Sequence, residues 1–282
     1  MVTAEDKKFF DENGYLLIRN VLTPDEITFL RKRALEIFSS DEWKVSSYNT
    51  NRTVIDTYRY FPEIMRVSLG KKVVDTVKAL LGSDDIILTP ETAMMTGFYP
   101  TWHKDTTTQE KLGHSFHKSP DFKMVRCGIY MQDNDEYGGG LSVISGSHRK
   151  PDNFLTGDFL PKRTLWYRIK NRLMPQKEED NVKLNPHKLK IVDIPSKVGD
   201  LVFFNFQTAH KGTIPKSQRI GDVPAHKSKI AIFDTFGVNN EQTKMYVDFL
   251  KTRPENIYGF ARDRHQSAEF DEYTRSIGLG AL

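Results

Sequence analysis

Cysteine is almost missing from this chain. Among 282 residues only Cys127 carries a thiol, so no intramolecular disulfide, no Cys-x-x-Cys redox pair and no cysteine-built zinc site is possible. That usage suits a reducing, cytoplasmic setting. Long apolar runs are missing too. No stretch approaches the roughly 18 consecutive apolar residues of a membrane-spanning helix, and residues 1–8 mix acid and base without the apolar centre of a secretory signal. There is no large charge excess: 41 Lys and Arg oppose 37 Asp and Glu, and the net +4 is spread along the chain. A nucleic-acid binder gathers its excess into a stripe with interleaved aromatics. The nearest approach is KRTLWYRIKNR at 162–172, and no nucleic-acid partner is expected. Repeats and low-complexity linkers are also lacking. With 38% hydrophobic and 28% charged residues, the chain reads as one globular domain over 1–282.

What is present divides into a helical opening and a strand-rich remainder. Thr3, with Asp6 three positions on, opens a short helix to Asn13, and YLLIR at 15–19 is strand-like. Thr23-Pro24-Asp25-Glu26 supplies an N-cap, a proline for the first turn and a capping glutamate. Ile27, Leu30, Ala34 and Ile37 then recur at helical spacing to about Ser39. Another helix is expected over 71–81, stopped by Gly82. Strands are expected over 86–99, 123–131, 141–144, 189–194, 200–204 and 229–236, short and apolar between Gly, Pro, Asn and Asp. Strands without intervening helices imply an antiparallel sandwich or barrel, so the fold class is α+β with a helical layer on a β-core. Helical pattern returns at 240–251 and begins a C-terminal helical extension over 240–282. A polar insertion at 151–186 fits neither pattern. Leu165, Trp166, Ile169 and Leu173 within it sit at roughly helical spacing, either as a helix packed on the core or as a lid over substrate.

The chemistry gathers around Trp102-His103-Lys104-Asp105. In extended chain, positions i and i+2 point the same way, so His103 and Asp105 converge. His210 follows the strand DLVFF and could meet them where two strand ends reach a barrel mouth. Two imidazoles and a carboxylate on one face of a metal leave three positions open, the arrangement of non-haem iron(II) oxygenases. Alone, His-x-Asp fits a solvated turn as well as a metal site.

Four segments in order extend the pattern. They are FFDENGYLLIRNVLTPDEITFLRKRALE from Phe9, WHKD, GGGLSVISGSHRK from Gly138, and VGDLVFFNFQTAHKG from Val198. Together, over about residues 8–237, they resemble the phytanoyl-CoA dioxygenase family of Fe(II)/2-oxoglutarate oxygenases. The resemblance implies a double-stranded β-helix, a cupin-like jelly roll backed by the N-terminal helices. It implies Fe(II), 2-oxoglutarate and O₂, with His103, Asp105 and His210 as metal ligands. It also implies a hydroxylase of a small organic substrate that releases succinate and CO₂.

The family places an arginine at the start of the strand after the distal histidine, to pair with the far carboxylate of 2-oxoglutarate. This chain departs there. Lys229 opens KIAIFDTFG, and the nearest arginine is Arg219. Arginine grips a carboxylate bidentately and lysine only as a point charge, so chemistry favours Arg219 while placement favours Lys229. The basic, aromatic 162–172 segment points to an acidic or amphipathic substrate.

Other residues carry blander readings. His148 in GSH is expected as a turn residue, and His114 and His117 as solvated loop histidines. Gly138 to Gly140 lack the following helix that an anion cradle needs. Cys127 lies within a strand as a small hydrophobe. Because Asp105 is a carboxylate, chloride has no vacated ligand position, which argues against a halogenase. Two rivals remain: a zinc or nickel hydrolase or isomerase of cupin type, and a non-catalytic barrel.

Overall fold

The computed structural model of this chain describes residues 2–40, 46–48, 51–97, 99, 101–151, 189–216, 222–252 and 265–281. Arg219, and the expected 151–186 insertion apart from Pro151, lie outside the described residues.

Local chemistry sets the first helices. In α1 (Ala4–Asn13) the Thr3 hydroxyl accepts from the Asp6 N–H at 3.1 Å, and the Asp6 carboxylate accepts from the Thr3 N–H at 2.9 Å. After β1 (Tyr15–Ile18), α2 (Pro24–Ser39) repeats this reciprocal cap with Thr23 and Glu26. Next come β2 (Ser46–Tyr48), β3 (Asn51–Ile55), α3 (Thr57–Tyr60), α4 (Pro62–Ser68) and α5 (Lys71–Leu81). The strand expected over 86–99 is two, β4 (Ile86–Leu88) and β5 (Ala93–Thr96). Between them the Thr89 N–H and hydroxyl both donate to the Thr235 carbonyl, at 2.9 and 3.1 Å. These bonds continue the register in which Leu88 faces Phe236, whereas β5 pairs with the same later strand (Ile230–Val238) out of step, Ala93 facing Phe233. Pro90, Glu91 and Thr92 therefore bulge from the ladder, at a proline that has no N–H to give it.

The remaining elements are α6 (Thr107–Lys111), β6 (Met124–Tyr130), β7 (Leu141–Ile144), β8 (Ile191–Asp193), β9 (Leu201–Asn205), β10 (His210–Gly212), β11 (Ile230–Val238), α7 (Glu241–Thr252), α8 (Ala268–Ser276) and β12 (Gly280–Ala281). Among the described residues they form two sheets. The larger has nine strands in the order β1-β9-β6-β11-β5-β3-β2, with β4 joining β11 and β12 joining β4; the smaller is β10-β7-β8. Every pairing is antiparallel except β12 with β4.

Side-chain alternation divides the larger sheet between two cores. Cys127, Ile129, Phe203, Ile232 and Phe236 pack outward with Leu30, Ala34, Ile37, Val73 and Val77 of the helical layer. Tyr130, Val202, Phe204, Ala231 and Phe233 point inward, against Leu141 and Val143 of the smaller sheet and Ile194. Each fully buried Phe or Ile contributes about 1.5–3 kcal/mol, so both faces stabilise the sheet. A strand covered on both faces reads as a continuous apolar run, which is why β11 shows little polar alternation. The result is the expected α+β jelly roll backed by helices. No helix among the described residues is long and apolar enough to cross a membrane.

Candidate metal centre

The turn after β9 carries the chain from the larger sheet to the smaller. Asn205 accepts through its side chain from the Gln207 N–H at 2.9 Å and through its carbonyl from the Thr208 N–H at 2.8 Å. The Ser147 hydroxyl, in the GSH segment, accepts from the Ala209 N–H at 2.8 Å. His210 therefore opens β10 opposite Val143 of β7. On the other edge of β10 lies the WHKD segment. His103 N–H donates to the His210 carbonyl at 3.1 Å, and His210 N–H to the His103 carbonyl at 2.8 Å. Residues paired this way project on one face. The two imidazole centroids are 4.3 Å apart.

Both rings are tethered identically. Nδ1 of His103 lies 2.9 Å from the Thr101 carbonyl and Nδ1 of His210 lies 2.9 Å from the Thr208 carbonyl. A carbonyl only accepts, so Nδ1 carries the proton and the Nε2 lone pair is free toward the centre. Burial holds both imidazoles below their ordinary pKa, that of His210 at about 3, so they stay neutral.

Lys104 turns the other way, with its buried ammonium donating to the Lys150 carbonyl. Asp105 returns to the face of His103. Its Oδ1 lies 3.9 Å from Nε2 of each histidine, and its Oδ2 lies 3.0 Å from Nη1 of Arg126. Burial pushes the Asp105 carboxyl up, but the adjacent Arg126 guanidinium leads the opposing pull, and the pKa stays below the ordinary value. The three donor atoms lie within 4.8 Å of one another. Two neutral nitrogens and one carboxylate oxygen, converging from one side, fit a divalent first-row ion with an open face.

Lys229 immediately precedes β11 and shares the inward face of Ala231 and Phe233. It is 5% exposed, and its ammonium lies 5.9 Å from the Tyr130 centroid and 5.4 Å from that of Phe233. Arg126 lies 5.9 Å from that same Phe233 ring, so both cations border one phenyl. Lys229 has no ion-pair partner among the described residues, and burial lowers its pKa to about 8. The nearby Tyr130 hydroxyl is buried without a hydrogen-bond partner among those residues. A buried cation beside an orphaned hydroxyl fits a carboxylate bound in the barrel.

Arg126, Glu91 and Tyr130 were not singled out from the sequence. An arginine inside the apolar strand KMVRCGIYM was a usable signal, since buried arginines are almost always paired. His117 also differs from expectation. It is 2% exposed rather than solvated, because the flanking Phe116 and Phe122 bury the loop. His148 does sit in a turn, with Nε2 3.0 Å from the Asp11 carbonyl. His114 is half-buried against Phe249.

Other motif residues prove architectural. Gly138 has φ +70, and a Cβ there would lie 2.4 Å from the Thr213 carbonyl oxygen. Gly199 has φ +90, where a Cβ would lie 2.5 Å from the Leu22 carbonyl oxygen. The adjoining Asp200 accepts from the N–H groups of Asn20 and Lys197 and pairs with Arg19 at 2.7 Å, so the Gly-Asp pair fastens β9 to the end of β1.

Comparison with known proteins matches this sequence to a family. The family model of phytanoyl-CoA dioxygenase (PhyH) matches residues 10–220. The ectoine dioxygenase of Sphingopyxis alaskensis is 23% identical over 221 residues, 74% of this chain and 70% of that one. That of Nocardia farcinica is 26% identical over 158 residues, 52% of each, so the match spans about half of its length. Among solved structures, EctD from S. alaskensis with 2-oxoglutarate and 5-hydroxyectoine has a TM-score of 0.55 at 18% identity, covering 84% of this chain and 76% of that one. The epimerase SnoN in complex with Fe3+, alpha ketoglutarate and nogalamycin RO has a TM-score of 0.58 at 14% identity, covering 89% and 90%. At such identities the structural likeness establishes the shared fold.

Proposed function

The chain belongs to the phytanoyl-CoA dioxygenase family and is an Fe(II)- and 2-oxoglutarate-dependent dioxygenase, and from that premise we propose how its own residues divide the work. His103, Asp105 and His210 hold the iron, and Lys229 binds the far carboxylate of 2-oxoglutarate. The observation that carries this reading is the convergence of two Nδ1-tethered imidazoles and one carboxylate oxygen within 4.8 Å. When bound there, iron with 2-oxoglutarate couples O₂ reduction to loss of CO₂, leaving succinate and an oxidised substrate.

The protein's part is positioning. The carbonyls of Thr101 and Thr208 fix the ring tautomers and hold Nε2 toward the centre. Asp105 supplies the single negative charge among the three ligands. Lys229 offers a cation at the inner end, and Phe204 and Phe233 line the interval and exclude water. Arg219 lies outside the described residues and remains the rival clamp.

We read the substrate as a small organic molecule, acidic or amphipathic, from the basic, aromatic segment 162–172, and the reaction as hydroxylation, since Asp105 is a carboxylate. The whole of 1–282 is read as one domain, with 151–186 inserted and 240–282 appended. A cytoplasmic location is part of the same reading, supported by the single buried thiol. A zinc or nickel hydrolase on the same ligands would leave the buried Lys229 cation without a counter-ion. The test is anaerobic addition of Fe(II) and then 2-oxoglutarate, followed by a small-molecule screen for substrate-stimulated succinate release. The expected result is a visible charge-transfer band. Iron uptake with neither band nor succinate would reject the reading.

A further inference from the structure

Behind Asp105 a chain of polar contacts runs to the last third of the sequence. The Arg126 guanidinium meets three partners at once: Nη1 is 3.0 Å from Asp105, Nη2 is 3.0 Å from Glu91 Oε1, and Nε donates to the Thr235 hydroxyl at 3.1 Å. The second oxygen of Glu91 accepts from the Tyr246 hydroxyl and, at 3.4 Å, from that of Thr235. Tyr246 is 2% exposed, and the Arg126 and Glu91 side chains are 13% and 12% exposed. Glu91 belongs to the interruption between β4 and β5. Tyr246 belongs to α7, which lies outside the family match at 10–220. The Tyr246 ring also packs edge-on against Phe206 at 5.1 Å, in the turn that leads to His210.

We propose that Arg126 is a positioning residue for the metal carboxylate, and that α7 acts on the metal through Tyr246, Glu91 and Arg126. This rests on reading His103, Asp105 and His210 as the metal ligands. A carboxylate with both oxygens free can chelate through the pair and close a position that co-substrate or O₂ needs. Arg126 engages Oδ2 and leaves Oδ1 facing the two Nε2 atoms. The planar fork of arginine reaches Asp105, Glu91 and Thr235 together, which the point charge of lysine does not. Glu91 is held on its far side by Tyr246, so the guanidinium is fixed by groups on β11 and α7 and not by its own rotamer alone. Outer partners of metal ligands set affinity in this way.

The experiment titrates the metal-free full-length protein with Mn(II) for affinity and with Co(II) for its visible absorption, alongside thermal melting of the apoprotein. Arg126→Met is expected to weaken Mn(II) binding about tenfold to a hundredfold and to change the Co(II) spectrum, with Arg126→Lys recovering only part. Glu91→Gln and Tyr246→Phe should each weaken binding about threefold to tenfold and shift the Co(II) spectrum in the same direction. A purely structural role would lower the apoprotein melting temperature and leave affinity and spectrum unchanged. If Glu91→Gln and Tyr246→Phe fold and keep the parent's affinity and spectrum, the proposal is overturned. They also decide the matter should Arg126→Met fail to fold. His103→Ala and His210→Ala separate the two levels. Loss of metal in these alone overturns only the positioning role, whereas their indifference would overturn the ligand assignment itself.

Discussion

His103 and His210 exchange both of their backbone hydrogen bonds across a single antiparallel bridge, at 3.1 and 2.8 Å. Their separation is thus set by main chain, and each ring direction by a carbonyl two residues upstream. Replacing an imidazole removes a ligand and leaves the bridge. His210→Ala should therefore lose metal binding while the apoprotein melting temperature moves little. In the parent, free metal at about 100 times Kd should stabilise the fold by ~2.7 kcal/mol, and the variant should show none of this. A variant as destabilised without metal as a large core truncation would mean that His210 serves packing instead.

Asp105→Ala should abolish hydroxylation, because it removes the only carboxylate in the described metal cluster. Iron content and 2-oxoglutarate turnover in variant and parent check this. Full turnover with iron retained would move the metal elsewhere, with His114 and His117 the first positions to examine.

How much of this was legible depends on how local the cause is. The Thr3/Asp6 and Thr23/Glu26 caps are decided within four residues of sequence, and both helices begin where the pattern places them. His103 and Asp105 stand two apart in one motif and do converge, His103 from a bridge and Asp105 from the turn that follows it. His210 follows from the Gly-Asp strand that resembles the family. The Arg126 cluster draws on residues 91, 105, 126, 235 and 246, and no periodicity links them. The break that presents Glu91 is a shift of register between β4 and β5 along the same strand β11, and Pro90 is its one local sign, so the apolar run over 86–99 reads as continuous from pattern alone. His117 illustrates the converse, a polar-looking loop buried by its two phenylalanines.

Lys229→Met should weaken 2-oxoglutarate binding roughly tenfold to a hundredfold, the usual cost of losing a charge-assisted carboxylate contact of about 1.5–3 kcal/mol. Iron content should be unchanged, and Arg219→Met should have less effect. Titration of the anaerobic charge-transfer band in both variants is the measurement. A larger effect from Arg219→Met would make the arginine the clamp.

The same lysine should give 2-oxoglutarate affinity a pH dependence. Burial lowers its pKa to about 8, and a bound carboxylate favours the charged form. Apparent Kd should be flat below about pH 8 and rise above it, by up to about tenfold per pH unit, until the pKa of the complex is passed. Lys229→Arg keeps its charge throughout and should flatten the profile even if affinity falls. A parent Kd that stays constant from pH 7 to pH 10 would count against a lysine contact.

Asp234 makes a separate prediction about stability. It lies on the outward face of β11, opposite Cys127, fully buried, with Oδ2 accepting from the Tyr58 hydroxyl at 2.9 Å. Its Oδ1 has no hydrogen-bond partner among the described residues. Burial raises its pKa to about 7, against the opposing pull of Tyr58 and Arg126. The folded protein therefore holds this proton between about pH 4 and pH 7, where the unfolded chain has released it. More protons bound in the folded state means that stability falls as pH rises through that window and levels off above it. Asp234→Asn keeps a neutral side chain of the same shape, with a carbonyl oxygen that can still accept from Tyr58. It should match the parent near pH 4 and exceed it by a few kcal/mol at pH 8, at about 1.4 kcal/mol per pH unit. Urea unfolding of both proteins across pH 4–8 measures the difference. Equal slopes in parent and variant would mean that Asp234 is ionised at neutral pH, with its charge stabilised by Arg126 more strongly than burial opposes it.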